Sequence, residues 1–481
     1  MLRIWNTPHR ALEEFVPAVP GKVGLYTCGP TVYYFAHIGN LRTYLFEDVL
    51  KRTLQKMGYH VTHVMNVTDV GHLVADSDDG EDKIEKAAAT LGKSAWELAR
   101  YYEEQFVKDL ALLRILPPDL MPRATDHIPE QIALVQELEK RGHAYRTSDG
   151  IYFDTASWPA YGRFSGQRLE DKKAGARVET NTDKRNPSDF ALWKFSVSSK
   201  KRQMEWESPW GVGFPGWHIE CSAMSLKYLG QPLDIHCGGV DHVPIHHENE
   251  VAQTEAATGS IFSRYWMHGE FLLVDGQRMA KSLGNGYTLT DIQTKFQIDP
   301  IAFRYFCLGA HYRTKLNFTA EAVQAAQTAL NKVRTWISLV NKEYSETQRA
   351  QGRIVSAACE AFLETLSQDL NTSEALSQMI GLIQRDSHGQ LVSVVEGASV
   401  LDVYATLLEM DEVLGLGLRD WQEPEQEIPV EVEALLKERM QARAEKNWAE
   451  SDRLRVALHA QGWLVEDHQG LPSTVRPLIE R

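Results

Sequence analysis

The sequence predicts an α/β chain whose first part is a doubly wound parallel sheet, and three observations carry that reading. Val23-Gly24-Leu25-Tyr26-Thr27 is a short apolar run closed by Cys28-Gly29-Pro30, the pattern of a buried strand ending in a turn. Apolar residues then recur at helical spacing at Leu41, Tyr44, Leu45, Val49, Leu50 and Leu54. His60 to Met65 follows as a second strand and completes a βαβ unit. The right-handed crossover rule makes such strands parallel, with ligands expected outside their carboxyl ends.

The segment from Pro117 to about Pro209 breaks this rhythm. It combines a helical pattern (Pro129 to Arg141), the short aromatic strand Ile151-Tyr152-Phe153 and the basic turn Asp183-Lys184-Arg185-Asn186-Pro187, so it reads as an insertion into the sheet domain. After Asn317 long helical patterns dominate, for example Ala320 to Val340 and Arg353 to Leu366, and predict a helical bundle. The acidic, proline-marked stretch from Gln422 to Pro429 reads as a linker, and a small tail domain follows it. Internal repeats and sustained low-complexity tracts are absent from the sequence.

At 481 residues the chain is too long for one core. Its formal charge of -14 gives a field that repels nucleic acid, so RNA contact would require local basic faces. Met1 to Asn6 lacks a basic stretch followed by an apolar run, and no segment approaches the roughly 20 apolar residues of a membrane span. A cytoplasmic protein without membrane contact is expected. The five cysteines, Cys28, Cys221, Cys237, Cys307 and Cys359, are odd in number and scattered, which argues for reduced thiols or metal ligands over a disulfide framework.

Two constellations carry chemistry. His246-His247-Glu248-Asn249-Glu250 opens a predicted helix that sets His246 and Glu250 on one face, and thiolate, imidazole and carboxylate together favour zinc. Taken alone, Cys28 and Cys221 are more often small buried hydrophobes and His246 with Glu250 more often a surface pair, so the context must carry the metal reading. Ala36-His37-Ile38-Gly39-Asn40 lies between the first strand and its helix, where exposed N–H groups favour phosphate and Gly39 permits close approach. Arg278-Met279-Ala280-Lys281-Ser282-Leu283-Gly284-Asn285 places two cations in a glycine-marked loop, suited to transferring phosphates, or to a solvated turn.

In this order the pieces resemble class I aminoacyl-tRNA synthetases, whose signatures are written HIGH and KMSKS, and among them the cysteinyl-tRNA synthetases. The likeness runs nearly end to end and adds Cys28 to Tyr33, Asn66-Val67-Thr68-Asp69 and Gly216 to Met224. It implies a Rossmann-like catalytic domain over 1–316, with an inserted acceptor-end subdomain over about 117–209 and a signature-loop and stem-contact region over about 270–316. A helical bundle over 317–421 and an anticodon-binding domain within 422–481 complete the expectation. Residue by residue, the resemblance implies one zinc ion held by Cys28, Cys221, His246 and Glu250, with the substrate sulfur joining it as thiolate. It implies a cysteine pocket of Cys28, Gly29, Thr31, Thr68 and Trp217, and an ATP site of His37, Gly39, Asn40, Gly239, Asp241 and Lys281. His37, Asn40 and Lys281 are the implied catalytic residues, Mg2+ accompanies ATP, and the partners are tRNA(Cys), L-cysteine and ATP on a monomer. Four protein ligands leave little room for a fifth, so Glu250 is expected to be the weak one.

Several positions depart from the family pattern. Asn40 stands where histidine is frequent, Arg278 and Ala280 replace the lysine and serine of the second signature, and Cys237 replaces a glycine. Cys237 is an extra thiol near the metal, expected not to ligate it. Asp76 to Asp82 superficially suggests a calcium loop, but position twelve is Ala87 where glutamate is required, so a solvated acidic loop is expected. In the tail, Arg439, Arg443, Lys446, Arg453 and Arg455 with Trp448 and Trp463 form a candidate RNA-reading face, while Leu471-Pro472 replaces a tryptophan frequent after Gly470. Two other readings fit the motifs less well: a paralogous ligase joining cysteine to a small amine, which would not need the helices beyond Asn317, and a non-catalytic tRNA-binding relative.

Overall fold

The computed structural model describes residues 1–70, 83–166, 183–196, 202–280, 283–387, 389–422, 429–466 and 473–477. Lys281, the acidic loop 76–82 and Leu471-Pro472 lie outside them. The chain divides into two compact units, Met1–Trp421 and Gln422–Arg481.

The first unit starts with the antiparallel hairpin β1 (Arg3–Asn6) and β2 (Ala11–Glu14). Strand β3 (Lys22–Thr27), helix α1 (Ile38–Lys56) and strand β4 (His60–Met65) form the βαβ unit read from the sequence. Helices α2 (Lys83–Leu91), α3 (Ala95–Leu112) and α4 (Ile128–Lys140) follow. The inserted region then builds an antiparallel sheet of its own from β5 (Ala144–Arg146), β6 (Gly150–Phe153), β7 (Phe190–Phe195) and β8 (Gly213–Pro215), so its last strand lies past Pro209. Helix α5 (Trp217–Leu229), strand β9 (Leu233–Gly239), helix α6 (Glu248–Thr258) and strand β10 (Ser263–Gly269) return to the central sheet. That sheet is parallel throughout, in the order β10-β9-β3-β4.

Alternation along the strands sends successive side chains to opposite faces. Val23, Leu25, Val61, Ile235, Cys237 and Met267 pack with Phe46, Leu50 and Leu54 of α1 on one face. Tyr26, Cys28, Val64, Cys221 and Trp266 lie together on the other. Beyond β10, a small sheet of Leu272–Val274, Gln277–Arg278 and Leu316–Phe318 leads into the helices Ala320–Glu343, Ser356–Ser367, Thr372–Gly381 and Val400–Leu414. Val355 precedes the Ser356–Ser367 helix as its N-cap, so the helical pattern read from Arg353 starts later in the structure. Among the described residues, no helix is long and apolar enough to cross a membrane.

One buried ion pair ties the sheet domain to the bundle. The fully buried Arg304 guanidinium donates to Asp48 Oδ2 at 2.5 Å, to the Leu113 carbonyl at 3.0 Å and to the Leu414 carbonyl at 2.6 Å. Removing one partner strands a buried charge and several acceptors. Arg304→Leu is therefore expected to cost about 3 kcal/mol or more, read as a lower urea midpoint for unfolding; an unchanged midpoint would refute this role.

The second unit pairs helices Val430–Ala444 and Trp448–Ala460 with a hairpin of Trp463–Glu466 and Thr474–Pro477. Its core is Val432, Leu458 and Val475, with Trp463 packed against it. This divides the face read from the sequence. Arg439 is 1% exposed and Trp463 is half-buried, so both belong to the unit's interior, whereas Trp448 is 58% exposed. Lys446, Arg453 and Arg455 are exposed, and the Arg443 guanidinium lies 6.0 Å from the Trp448 ring.

Candidate active site

Among the described residues, Cys28, Gly29, Thr31, Thr68, Gly239 and the start of α1 follow the carboxyl ends of the parallel strands, where open α/β sheets bind ligands. The chain leaving β3 runs beside the chain leaving β4. Thr31 bridges Thr68, Gly29 N–H donates to Asn66 Oδ1 at 2.9 Å, and a β-carbon on Gly29 would sit 1.7 Å from the Asn66 carbonyl oxygen. Glycine is required there because two backbones nearly touch. Asn66 in turn donates to Thr68 Oγ1 at 3.1 Å, which fixes the buried threonine.

Cys28 closes β3, Cys221 lies in α5, His246 sits in a turn of π-helix over Val243–His247, and Glu250 occupies the first turn of α6. The π-turn is the part the sequence did not disclose, since His246 and Glu250 were expected on one regular helix; such turns cluster at functional sites. The four ligand atoms lie within 4.8 Å of one another, and all four residues are buried. His246 Nε2 is 2.7 Å from Glu250 Oε1, and the Trp217 ring stacks on the His246 ring at 4.3 Å.

Burial of this many ionisable groups has electrostatic consequences. Burial, aided by the Cys221 sulfur, pushes the Cys28 thiol well up, whereas the hydrogen bond from Cys28 brings Cys221 down to about 6. Burial opposes charge on His246 and Glu250 too, but each overrides it for the other. Glu250 pushes His246 up to about 10, and His246 with His236 holds the Glu250 carboxyl well below the ordinary range. Two thiols, an imidazole and a carboxylate meeting without solvent form a soft, potentially anionic donor set, and that fits zinc.

Two further residues lie in the same cluster and were not singled out as ligands from the sequence. His236 and His247 form a second quartet with Cys28 and Glu250, again within 4.8 Å. His236 Nε2 is 2.9 Å from Glu250 Oε2, and His247 Nε2 is 3.2 Å from Cys28 Sγ. The chain of rings continues from His247 Nδ1 to His268 Nε2 at 2.7 Å and from His268 Nδ1 to Thr7 Oγ1 at 2.7 Å, while His218 Nδ1 lies 3.0 Å from His246 Nδ1. The usable signal was strand alternation. His236 and Cys237 are neighbours in β9, so only one of them can face the Cys28–Glu250 cluster. It is His236, stacked on Trp266 at 4.3 Å; Cys237 lies on the opposite face with Phe46 and Tyr312.

The first nucleotide signature forms the start of α1. His37 is the N-cap: its Nδ1 accepts from Asn40 N–H at 3.1 Å, and Asn40 Oδ1 accepts from His37 N–H at 3.2 Å. This reciprocal cap uses the amide of Asn40 as an acceptor. Gly39 is covered by the second signature, because a β-carbon there would meet Met279 Cε at 2.4 Å. The Ile38 N–H donates to the Tyr287 carbonyl at 2.8 Å, so the segment following the second signature is sewn to the first. On either side of Lys281, Ala280 N–H donates to Asn285 Oδ1 at 2.8 Å and Asn285 Nδ2 to the Arg278 carbonyl at 3.2 Å. Gly239 ends β9, and Asp241 is exposed just beyond it, in the short helical turn Val240–His242.

Residues 14–328 match the family model described as tRNA synthetases class I (C) catalytic domain, and residues 425–471 match that of the cysteinyl-tRNA ligase anticodon binding domain. Cysteine–tRNA ligase 1 of Burkholderia lata is 49% identical over 468 residues, covering 97% of this chain and 95% of that protein. The cysteine–tRNA ligase of Treponema denticola is 40% identical, covering 98% of each. Among solved structures, Mycobacterium tuberculosis methionyl-tRNA synthetase in complex with methionyl-adenylate superposes with a TM-score of 0.57 at 16% identity, over 84% of this chain and 95% of that one, a likeness of fold. The chain thus belongs to the cysteinyl-tRNA synthetase family of class I aminoacyl-tRNA synthetases.

Proposed function

We propose that this enzyme is a cysteine–tRNA ligase: it activates L-cysteine with ATP to cysteinyl-adenylate, releases pyrophosphate, and transfers the cysteinyl group to the terminal ribose of tRNA(Cys). The observation that carries the reading to cysteine is the buried convergence of Cys28, Cys221, His246 and Glu250 beside the strand ends. Serine is nearly isosteric with cysteine, and an apolar pocket separates such neighbours by only about 100-fold. Zinc held by the four residues supplies a chemical test instead, since a thiol ionises on the metal near neutral pH more readily than an alcohol.

The remaining work is positioning. Trp217, stacked on His246, walls the amino-acid pocket, Gly29 belongs to the same pocket, and Thr31 and Thr68, bridged to each other, lie near the substrate amino group. The α1 N-terminus, with His37, Gly39 and Asn40, favours the phosphates, Gly239 and Asp241 hold the ribose, and Lys281 steadies charge during in-line attack by the cysteine carboxylate on the α-phosphate. No covalent nucleophile is needed. Magnesium enters with ATP, the tail unit reads the anticodon, and the chain works as a monomer in the cytoplasm.

Two assays test this. Cysteine-dependent ATP–pyrophosphate exchange without RNA, followed by charging of purified tRNA, separates the ligase from its competitors. Absence of exchange points to a non-catalytic binder, and exchange without charging points to a ligase for a small amine. For the metal, the cobalt-substituted protein should change its absorption spectrum on adding cysteine; an unchanged spectrum would rule out direct thiolate ligation and the displacement of Glu250.

Zinc uptake should also release protons. At pH 8 the metal-free site holds one on His246, pushed up to about 10, and one on Cys28, pushed up by burial, whereas Cys221, at about 6, is already a thiolate. Calorimetry in buffers of different ionisation enthalpy should show about two protons released per zinc. Release of fewer than one would contradict the arrangement.

A further inference from the structure

An aromatic cluster next to the N-terminus of α1 has no part in the chemistry above. Tyr34 is 51% exposed and Tyr101, on α3, is 40% exposed. Between them Phe35 is half-buried and Tyr102 buried. The rings brace one another largely edge to face: Tyr34–Phe35 at 5.5 Å, Phe35–Tyr102 at 5.0 Å, Phe35–Tyr101 at 6.2 Å and Tyr101–Tyr102 at 5.2 Å. Tyr34 also lies 5.9 Å from Tyr102. The buried pair thus holds the exposed pair in fixed orientations, at little further entropic cost on binding.

Cations flank the exposed rings. The Lys93 ammonium lies 5.0 Å from the Tyr101 ring centre, and Lys295, paired with Asp291 at 2.8 Å, also has an electrostatic interaction with Tyr34. Tyr34 stands three residues before His37, so the cluster is continuous with the N-terminus of α1. Fixed, exposed aromatic faces with lysines beside them match single-stranded nucleic acid, whose bases stack and whose phosphates seek positive charge. A duplex would not offer its base faces.

We infer that Tyr34 and Tyr101 form a stacking platform for the single-stranded 3′ end of the tRNA, guiding its terminal ribose to the adenylate. The inference rests on the proposed tRNA-charging activity. The 3′ end must reach the adenylate beside α1, and Tyr34 stands three residues before the N-cap of that helix. Tyr34 and Tyr101 act here as positioning residues.

The test uses the full-length zinc enzyme with Tyr34→Ala, Tyr101→Ala and the corresponding phenylalanine variants. Each alanine variant should lower kcat/KM for charging about tenfold, the size of one lost base stack, while phenylalanine restores it to within about twofold. Pyrophosphate exchange and its KM for ATP should stay within about twofold of wild type in all four, as expected when only an RNA contact is lost. Binding supplies the decisive readout. Wild type should bind intact tRNA more tightly than tRNA lacking its three terminal nucleotides, and the alanine variants should lose that difference. Unchanged charging, an equal fall in exchange, or equal weakening toward both RNAs would overturn the platform. Failure of the wild-type enzyme to exchange or charge would instead overturn the proposed activity, so the two failures are distinct.

Discussion

Cys221→Ser is expected to lose close to a full equivalent of zinc and to lower cysteine-dependent exchange by about a thousandfold or more, exceeding the ~10–100-fold typical of removing a residue that only supports a ligand. The thiolate it removes is buried, lies within 4.8 Å of Cys28, His246 and Glu250, and is the sulfur already ionised at neutral pH in the metal-free site. A hydroxyl neither ionises there nor bonds zinc with comparable strength. Cys237→Ala is the matched control, because that thiol faces α1 across the sheet. It should keep its zinc and its preference for cysteine over serine. Atomic absorption together with exchange measured on both amino acids decides the matter: full zinc in Cys221→Ser, or metal loss in Cys237→Ala, would mean that the ligand set is misassigned.

Ending the chain at Trp421 should separate the two half-reactions. Residues up to Trp421 form a complete compact unit, in which Leu416 and Leu418 are buried in the core and Trp421 is covered by the Arg334 guanidinium at 3.9 Å. The shortened chain is expected to fold and to exchange pyrophosphate within about twofold of the full-length enzyme, domains being units that fold on their own cores. Charging of tRNA should fall ~100–1,000-fold, since a stacked base is worth about 1–3 kcal/mol and the missing unit offers Trp448 and its neighbouring cations to a loop. Undiminished charging by the shortened chain would show that the tail does not read the RNA.

What could be seen in the sequence divides along a physical line. Local periodicity placed β3, α1 and β4 to within a few residues, because burial on one helix face and closure of a strand by Cys28-Gly29-Pro30 are written in neighbouring positions. The zinc candidates were also named from the sequence, yet their convergence depends on register. Cys28 and His247 touch only because β3 pairs with β9 and a π-turn rotates the segment before α6. The alternation of His236 and Cys237 was available in principle, but which residue faces the Cys28–Glu250 cluster is undetermined until the strand is placed against its neighbours. Asn40 shows a smaller version of the same limit. That its Oδ1 accepts from the His37 N–H follows only once the helix start brings the two together. Arg439 was grouped with its charged neighbours by composition, whereas helical phase turns it inward.

The burial of the thiols has a consequence in redox terms. An enzyme that works on free cysteine is exposed to the cystine accompanying it, and a reactive thiolate would be captured as a mixed disulfide. Attack needs a thiolate with access to solvent. Burial holds Cys237 well above its ordinary pKa and Cys307 at about 12, so neither supplies one at neutral pH, and both are shielded by packing. Cys28 and Cys221 are buried together at the metal site, and Cys359 alone is partly exposed, with its own pKa raised by burial. The fold thus keeps Cys237 and Cys307 away from solvent, and with cystine present Cys359 should be the first position to form a mixed disulfide, releasing one cysteine.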